Sequence, residues 1–241
     1  NSSVGFALSY IAFRGVLICQ YLHAGYHIPP ARSLTNWYAV GFTISLFFWL
    51  TSVFVPLPWR FCLWGLGLII DFAIPLSAGQ RVAKVPPNMT HTTERIGLFT
   101  IIVLGESIVS VVGGVSELAW TPTSIAIALL GLSIAFSFWW MYFDTVDESP
   151  LHAMKKGNMT IALTWLYSHL PLAIGLTATG VGVEKMISGL NNDAARGDKV
   201  LFCLAVSLCL LVLSNLHWTS GKLGQTKCKK ILTYYRLGAA A

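Results

Sequence analysis

Seven runs of predominantly apolar residues, each about 20 long and separated by short polar loops, constrain this chain more than any other feature. A run of ~20 residues at ~1.5 Å per residue matches a hydrocarbon layer of ~30 Å, so each run reads as one helical crossing. They lie near 4–23, 37–55, 61–78, 96–115, 123–143, 159–183 and 200–218. Strands are excluded because the runs are long and do not alternate. Composition agrees: of 241 residues 55% are hydrophobic and 11% charged, with a mean hydropathy of +0.66. Soluble domains carry about 25% charged residues. The expected fold class is therefore all-α: a polytopic membrane helix bundle over 1–221, followed by a basic tail over 222–241.

Orientation follows from Lys and Arg in alternate loops. One side carries Arg60, Lys185, Arg196 and Lys199. The other carries Arg32, Arg81, Lys84, Arg95, Lys155, Lys156, Lys222, Lys227, Lys229, Lys230 and Arg236. With four against eleven, and Arg14 in mid-span completing the sixteen, the positive-inside rule places the N-terminus outside and the C-terminus in the cytoplasm. This distribution also accounts for the net charge of +6 without nucleic acid. Membrane lipids are the expected partners, with anionic headgroups at the basic tail. The five cysteines are odd in number and have no metal-like spacing, so no disulfide framework, metal or cofactor is expected. His23 and His27 stand at i, i+4 with no acid nearby and read as an interfacial pair.

Four runs each place one ionisable side chain near the midplane: Arg14, Asp71, Glu106 and His169. A charge at the centre of a lone helix costs roughly 2.5–3.5 kcal/mol, so the four are expected to face one another. Pro75 lies four residues after Asp71 and cannot bond its carbonyl. The fourth run organises the rest. In HTTERIGLFTIIVLGESIVS, Arg95 and Glu106 are eleven residues apart, which at ~100° per residue brings them within about 20° of one face. Phe99, Ile102 and either Ser110 or Val109 share that stripe. His91, Glu94 and Arg95 form a polar cytoplasmic entrance, with hydroxyls at His91 to Thr93 offered as helix caps. Asp144 closes the fifth run at the same boundary. Gly97, Gly105, Gly113 and Gly114, together with Gly131, Ser133 and Ser137, are expected at helix interfaces.

HTTERIGLFTIIVLGESIVSV closely resembles the signature segment of the bacterial low temperature requirement A (LtrA) family. SYIAFRGVLICQYLHA, FSFWWMYFD and LTWLYSHLPLAIG resemble its flanking segments in the same order. The resemblance covers roughly Ser9 to Val183. It implies a multi-span inner-membrane protein of the cell and supplies no settled activity. It marks Arg14, His91, Glu94, Arg95, Gly97, Gly105, Glu106, Trp140, Asp144 and His169 as matching the family pattern. The family's usual N-terminal portion, which opens on an acidic-aromatic stretch, is missing here. Expected protein partners are accordingly that missing half or further copies of the chain.

The function expected from these residues is translocation of a proton or small cation. Asp71 and Glu106 would be the binding groups, Arg14 a fixed counter-charge, His169 a relay, and His91, Glu94, Arg95 and Asp144 the cytoplasmic gate. The alternative is a sensor or structural subunit in which the same cluster is a polar clasp. An enzyme is not expected: a lipid hydrolase could use His91, Glu94 and Asp144, but no H-E-x-x-H or G-x-S-x-G motif is present. Orientation is directly testable. Lys229→Cys, in a variant lacking the native cysteines, should react with a membrane-impermeant maleimide only after cells are opened. Labelling of intact cells would reverse the topology.

Overall fold

A computed structural model describes residues 2–85, 88–116, 121–144, 159–188, 196–221 and 238. No strand occurs among them. The helices are α1 (Ser2–His27), α2 (Arg32–Phe54), α3 (Trp59–Ser77), the short α4 (Gln80–Lys84), α5 (Met89–Ser116), α6 (Pro122–Phe143), α7 (Met159–Ser188) and α8 (Arg196–Gly221). A 3-10 turn, Pro29–Ala31, joins α1 to α2. Among the described residues, seven helices are long and apolar enough to cross a membrane. The chain is thus an all-helical, multi-pass membrane protein. The basic tail over 222–241 falls outside the described residues save Gly238.

Helix ends extend beyond the apolar runs. The second helix starts at Arg32 and not Trp37, the fourth at Met89 and not Ile96, and α7 continues to Ser188. Hydrophobicity measures only the hydrocarbon layer, whereas a helix keeps its internal bonds through the headgroup layer as well. The entrance His91–Arg95 therefore lies inside α5. The cap comes from Asn88, whose side-chain oxygen accepts the His91 N–H at 3.3 Å, in place of the hydroxyls at 92 and 93. At the start of α6 a reciprocal capping box joins Thr121 and Ser124.

Cα packing groups the chain into two compact units, 1–87 and 88–241. In the first, α2 packs along both α1 and α3. Its buried residues Thr35, Ala39, Phe42, Ser45, Trp49 and Ser52 recur every three or four positions, forming one stripe. Gly67 of α3 admits the Trp49 indole, which an added Cβ would meet at 2.6 Å. The Ser45 hydroxyl donates to the Gly67 carbonyl at 3.0 Å on the same contact. Pro75 lies inside α3, which continues to Ser77. Gly79, at φ +52°, then turns the chain into α4.

In the second unit α7 packs along α5 and α8, and α6 covers α5 and α7. Val111, Val115, Val183 and Ile187 form a buried cluster, flanked by Ile127, Ala128, Leu132 and Phe202. Gly131 sits against Val183, and Gly114 against the Glu184 backbone. Gly105 and Gly113 have open space where a Cβ would stand. Ser133 and Ser137 are exposed and donate to Leu129 and Ser133 carbonyls of their own helix, so among the described residues of this unit they join α6 to no other helix. At Gly180 the approach is to backbone, since a Cβ there would meet the Ser107 Cα at 2.7 Å. Gly180→Ala must push α5 from α7 and should cost about 1–3 kcal/mol. Gly105→Ala should cost nothing and gain up to ~1 kcal/mol in helix propensity. Chemical unfolding in detergent compares the two, and equal stability would remove the close approach.

Candidate functional site

In the first unit, Tyr10 and Arg14 stand at i, i+4 on α1 and so share one face, opposite Asp71 of α3. Arg14 Nη2 lies 2.7 Å from Asp71 Oδ2. The Tyr10 hydroxyl donates to the same oxygen at 2.5 Å, while its own oxygen accepts Arg14 Nε at 2.9 Å and Nη2 at 2.7 Å. The guanidinium also lies over the Phe42 ring, 4.8 Å from its centroid, and Tyr10 stacks on Trp49 at 3.8 Å. Asp71 is 6% exposed. Its second oxygen, Oδ1, is buried and has no hydrogen-bond partner among the described residues.

Depth along the runs is enough to pair Arg14 with an acid, but it does not disclose Tyr10. The signal was available, since Tyr10 is one turn before Arg14. Trp49, in a run without charges, is 2% exposed. The stripe it shares with Phe42 and Ser45 recurs at helical spacing, but the run is so uniformly apolar that the stripe does not stand out.

In the second unit, His169 of α7 is buried and makes two bonds. Its Nδ1 lies 2.9 Å from the Trp165 carbonyl, which can only accept, so Nδ1 carries the hydrogen. Nε2 is then bare and accepts the Tyr142 hydroxyl of α6 at 3.0 Å. Thr100 of α5, 3% exposed, lies beside that hydroxyl. Three helices therefore meet at one polar knot, of which the sequence reading identified only His169. One residue earlier, Ser168 accepts the Asn215 side-chain N–H at 2.8 Å, tying α7 to α8.

Glu106 is placed differently. Its neighbour Ser107 is buried and donates to the Leu176 carbonyl at 2.8 Å, which fixes the rotation of α5. A step of ~100° turns Glu106 away from α7. It is exposed, with no hydrogen bond or ion pair among the described residues. Glu106 and His169 are therefore not joined within their unit. The stripe expected on α5 is present on that exposed face, with Arg95, Phe99, Ile102 and Val109. At its entrance His91 and Glu94 are 3.6 Å apart and exposed. Asp144 caps the end of α6 through its N–H to the Trp140 carbonyl at 2.9 Å. Among the described residues no three His, Cys, Asp or Glu side chains gather as metal ligands.

Comparison with known proteins locates this arrangement in a family. The family model described as "Bacterial low temperature requirement A protein (LtrA)" matches residues 1–239, more of the chain than the segment from Ser9 to Val183 that carries the resemblance. The uncharacterized protein RA0937 of Rhizobium meliloti (strain 1021) is 26% identical over 193 residues, covering 74% of this chain and 46% of that protein. The chain thus spans about half the length of this relative. No solved structure matches.

The ion pair makes a prediction for stability. Asp71→Asn should cost about 1.5–3 kcal/mol, the worth of a charge-assisted hydrogen bond. That is less than the ~3–5 kcal/mol of a fully buried pair, because the Arg14 side chain is 15% exposed and keeps Tyr10 and Phe42. Arg14→Met combined with Asp71→Leu should recover most of the loss, as apolar replacements of buried pairs do. Unfolding midpoints in detergent decide, and a double variant no better than the single one would contradict it.

Proposed function

The chain belongs to the bacterial low temperature requirement A family, and from that premise, with its seven apolar helices, we propose that it translocates protons or a small cation across the cell membrane. The observation that carries this reading is Asp71: a carboxylate enclosed midway along a spanning helix, one oxygen bonded and the other uncommitted. Intramembrane acids of this kind mark ion and proton routes more often than scaffolding. On this reading Asp71 and Glu106 take up and release the ion, Arg14 is the fixed counter-charge of Asp71, and His169 with Tyr142 passes hydrogen bonds between helices. His91, Glu94, Arg95 and Asp144 form the cytoplasmic entrance. The C-terminus is cytoplasmic, and its basic tail rests on anionic headgroups. The protein acts as a carrier and not as an enzyme.

One observation favours a second reading, a sensor or structural subunit. Asp71 Oδ2 takes both Tyr10 and Arg14, a neutral set that also serves as a clasp between helices. Reconstituted vesicles separate the two. If the protein translocates, an imposed pH or cation gradient should drive flux that Glu106→Gln and Asp71→Asn each abolish while the protein stays folded, since both keep shape and remove the titrating charge. Wild-type vesicles with no flux under any gradient would leave the clasp.

A further inference from the structure

Resting on the translocation reading and naming its substrate, we infer that the Arg14, Tyr10 and Asp71 cluster takes up a single proton, at Asp71 Oδ1, and does not bind a metal cation. Hard cations such as Mg²⁺ and Ca²⁺ take six or more oxygens. Around Asp71 the side-chain oxygens are committed save one, and the Asp71 carbonyl that Pro75 leaves without its helical bond adds at most one more, far short of such a shell. The Tyr10 hydroxyl accepts two N–H groups from Arg14 and gives its hydrogen to Oδ2, so it presents no free lone pair to a metal. Oδ2 takes Arg14 and Tyr10, which leaves Oδ1 alone. A metal ion at Oδ1 would also stand close to the guanidinium, and in this enclosed setting like charges repel strongly.

A proton asks for much less. One O–H bond of a hydronium ion breaks and leaves water, one O–H bond forms on Oδ1, and the cluster passes from net zero to one positive charge on Arg14. That charge has somewhere to rest. The guanidinium keeps both bonds to the Tyr10 oxygen and lies over the rings of Phe42 and Tyr10, at 4.8 and 5.1 Å from their centroids. The aromatic faces thus hold the cation while its carboxylate is neutral. The titratable and charged groups around Asp71 are few. From α1 come Tyr10, Arg14 and, further along, Tyr21; α2 presents Tyr38, stacked on Phe42, with Ser45 and Trp49, and has no charged residue between Arg32 and its end; α3 offers Asp71 and, exposed near its start, Cys62, while Arg60 bonds Ser52 and Ser3. Arg81 of α4 stacks on Trp37.

Infrared difference spectra of the purified full chain in lipid nanodiscs, acidified from neutral pH, test this. The expected result is a protonated-carboxyl C=O band that shifts when aspartate is ¹³C-labelled in the side chain and not when glutamate is. The band should vanish in Asp71→Asn, persist in Glu106→Gln, and stay unchanged on adding Na⁺, K⁺, Mg²⁺ or Ca²⁺ at constant ionic strength and pH. If any of these cations reduces the band, the site holds a metal and the inference is wrong. The absence of an aspartate band down to the pH at which the protein unfolds overturns it equally, leaving Asp71 a permanent ion pair. Should Asp71→Asn fold poorly, a variant with Asn at Asp144, Asp147, Asp193 and Asp198 leaves Asp71 as the one aspartate of the chain and should keep the labelled band. A band without vesicle flux refutes translocation and keeps the proton site; flux without a band does the reverse.

Discussion

Hydrocarbon offers no hydrogen bonds, and that single constraint decides where almost every polar group in this chain points. Most hydroxyls in the spans turn back on their own helix. Thr43, Thr51, Ser133, Ser137, Thr179 and Ser214 each donate to the carbonyl four residues earlier. Such bonds satisfy the side chain and say nothing about neighbours. A smaller set reaches across: Ser45 to Gly67, Ser107 to Leu176, Asn215 to Ser168, Tyr142 to His169, and Tyr10 with Arg14 to Asp71. In a solvent as apolar as the helices themselves, these bonds and the glycine contacts beside them select which helices pair.

That distinction sets what the sequence could disclose. Run length and hydropathy are enough to count the helices, because both respond directly to the thickness of the hydrocarbon layer. Depth is equally legible: Arg14 and Asp71 lie at matching distances from their run ends, and they meet. Azimuth is not legible. Glu106 and Ser107 differ by one residue and therefore by ~100°, yet one is exposed and the other buried against α7. Nothing in the α5 run signals this, since its apolar residues surround the helix. What fixes the rotation is a tertiary fit between Ser107 and Gly180, and a single sequence carries no record of which glycine meets which serine. Ser133 and Ser137 went astray for the same reason, being able to satisfy themselves locally. Tyr10, apart from its spacing to Arg14, and Tyr142 carry no sign of their role in the sequence, because aromatic residues in membrane spans and at their ends are common, and only a buried partner reveals that the hydroxyl matters.

The two midspan acids consequently occupy unlike settings. Asp71 is enclosed and matched by a cation, whereas Glu106 lies on an open face of its unit with no ion pair among the described residues. Two carboxyl groups in one protein can serve separate roles when their surroundings differ in this way. An enclosed acid paired with a cation holds its neighbouring helices together, and a change in its charge state alters that hold.

Which helices would part follows from how the first unit is built. Both α1 and α3 pack along α2 through backbone-close contacts at small residues, as at Gly67. The bonds between α1 and α3 themselves are made by side-chain ends: Arg14 and Tyr10 on Asp71, Arg60 on Ser3, and Phe6 against Trp64 at 5.2 Å. A proton on Asp71 replaces an ion pair by a contact between a cation and a neutral acid, which removes the strongest of those links and leaves the α2 contacts untouched. Proton uptake would therefore loosen α1 from α3 selectively, and in a proton carrier the same step that loads the site would open the way to it.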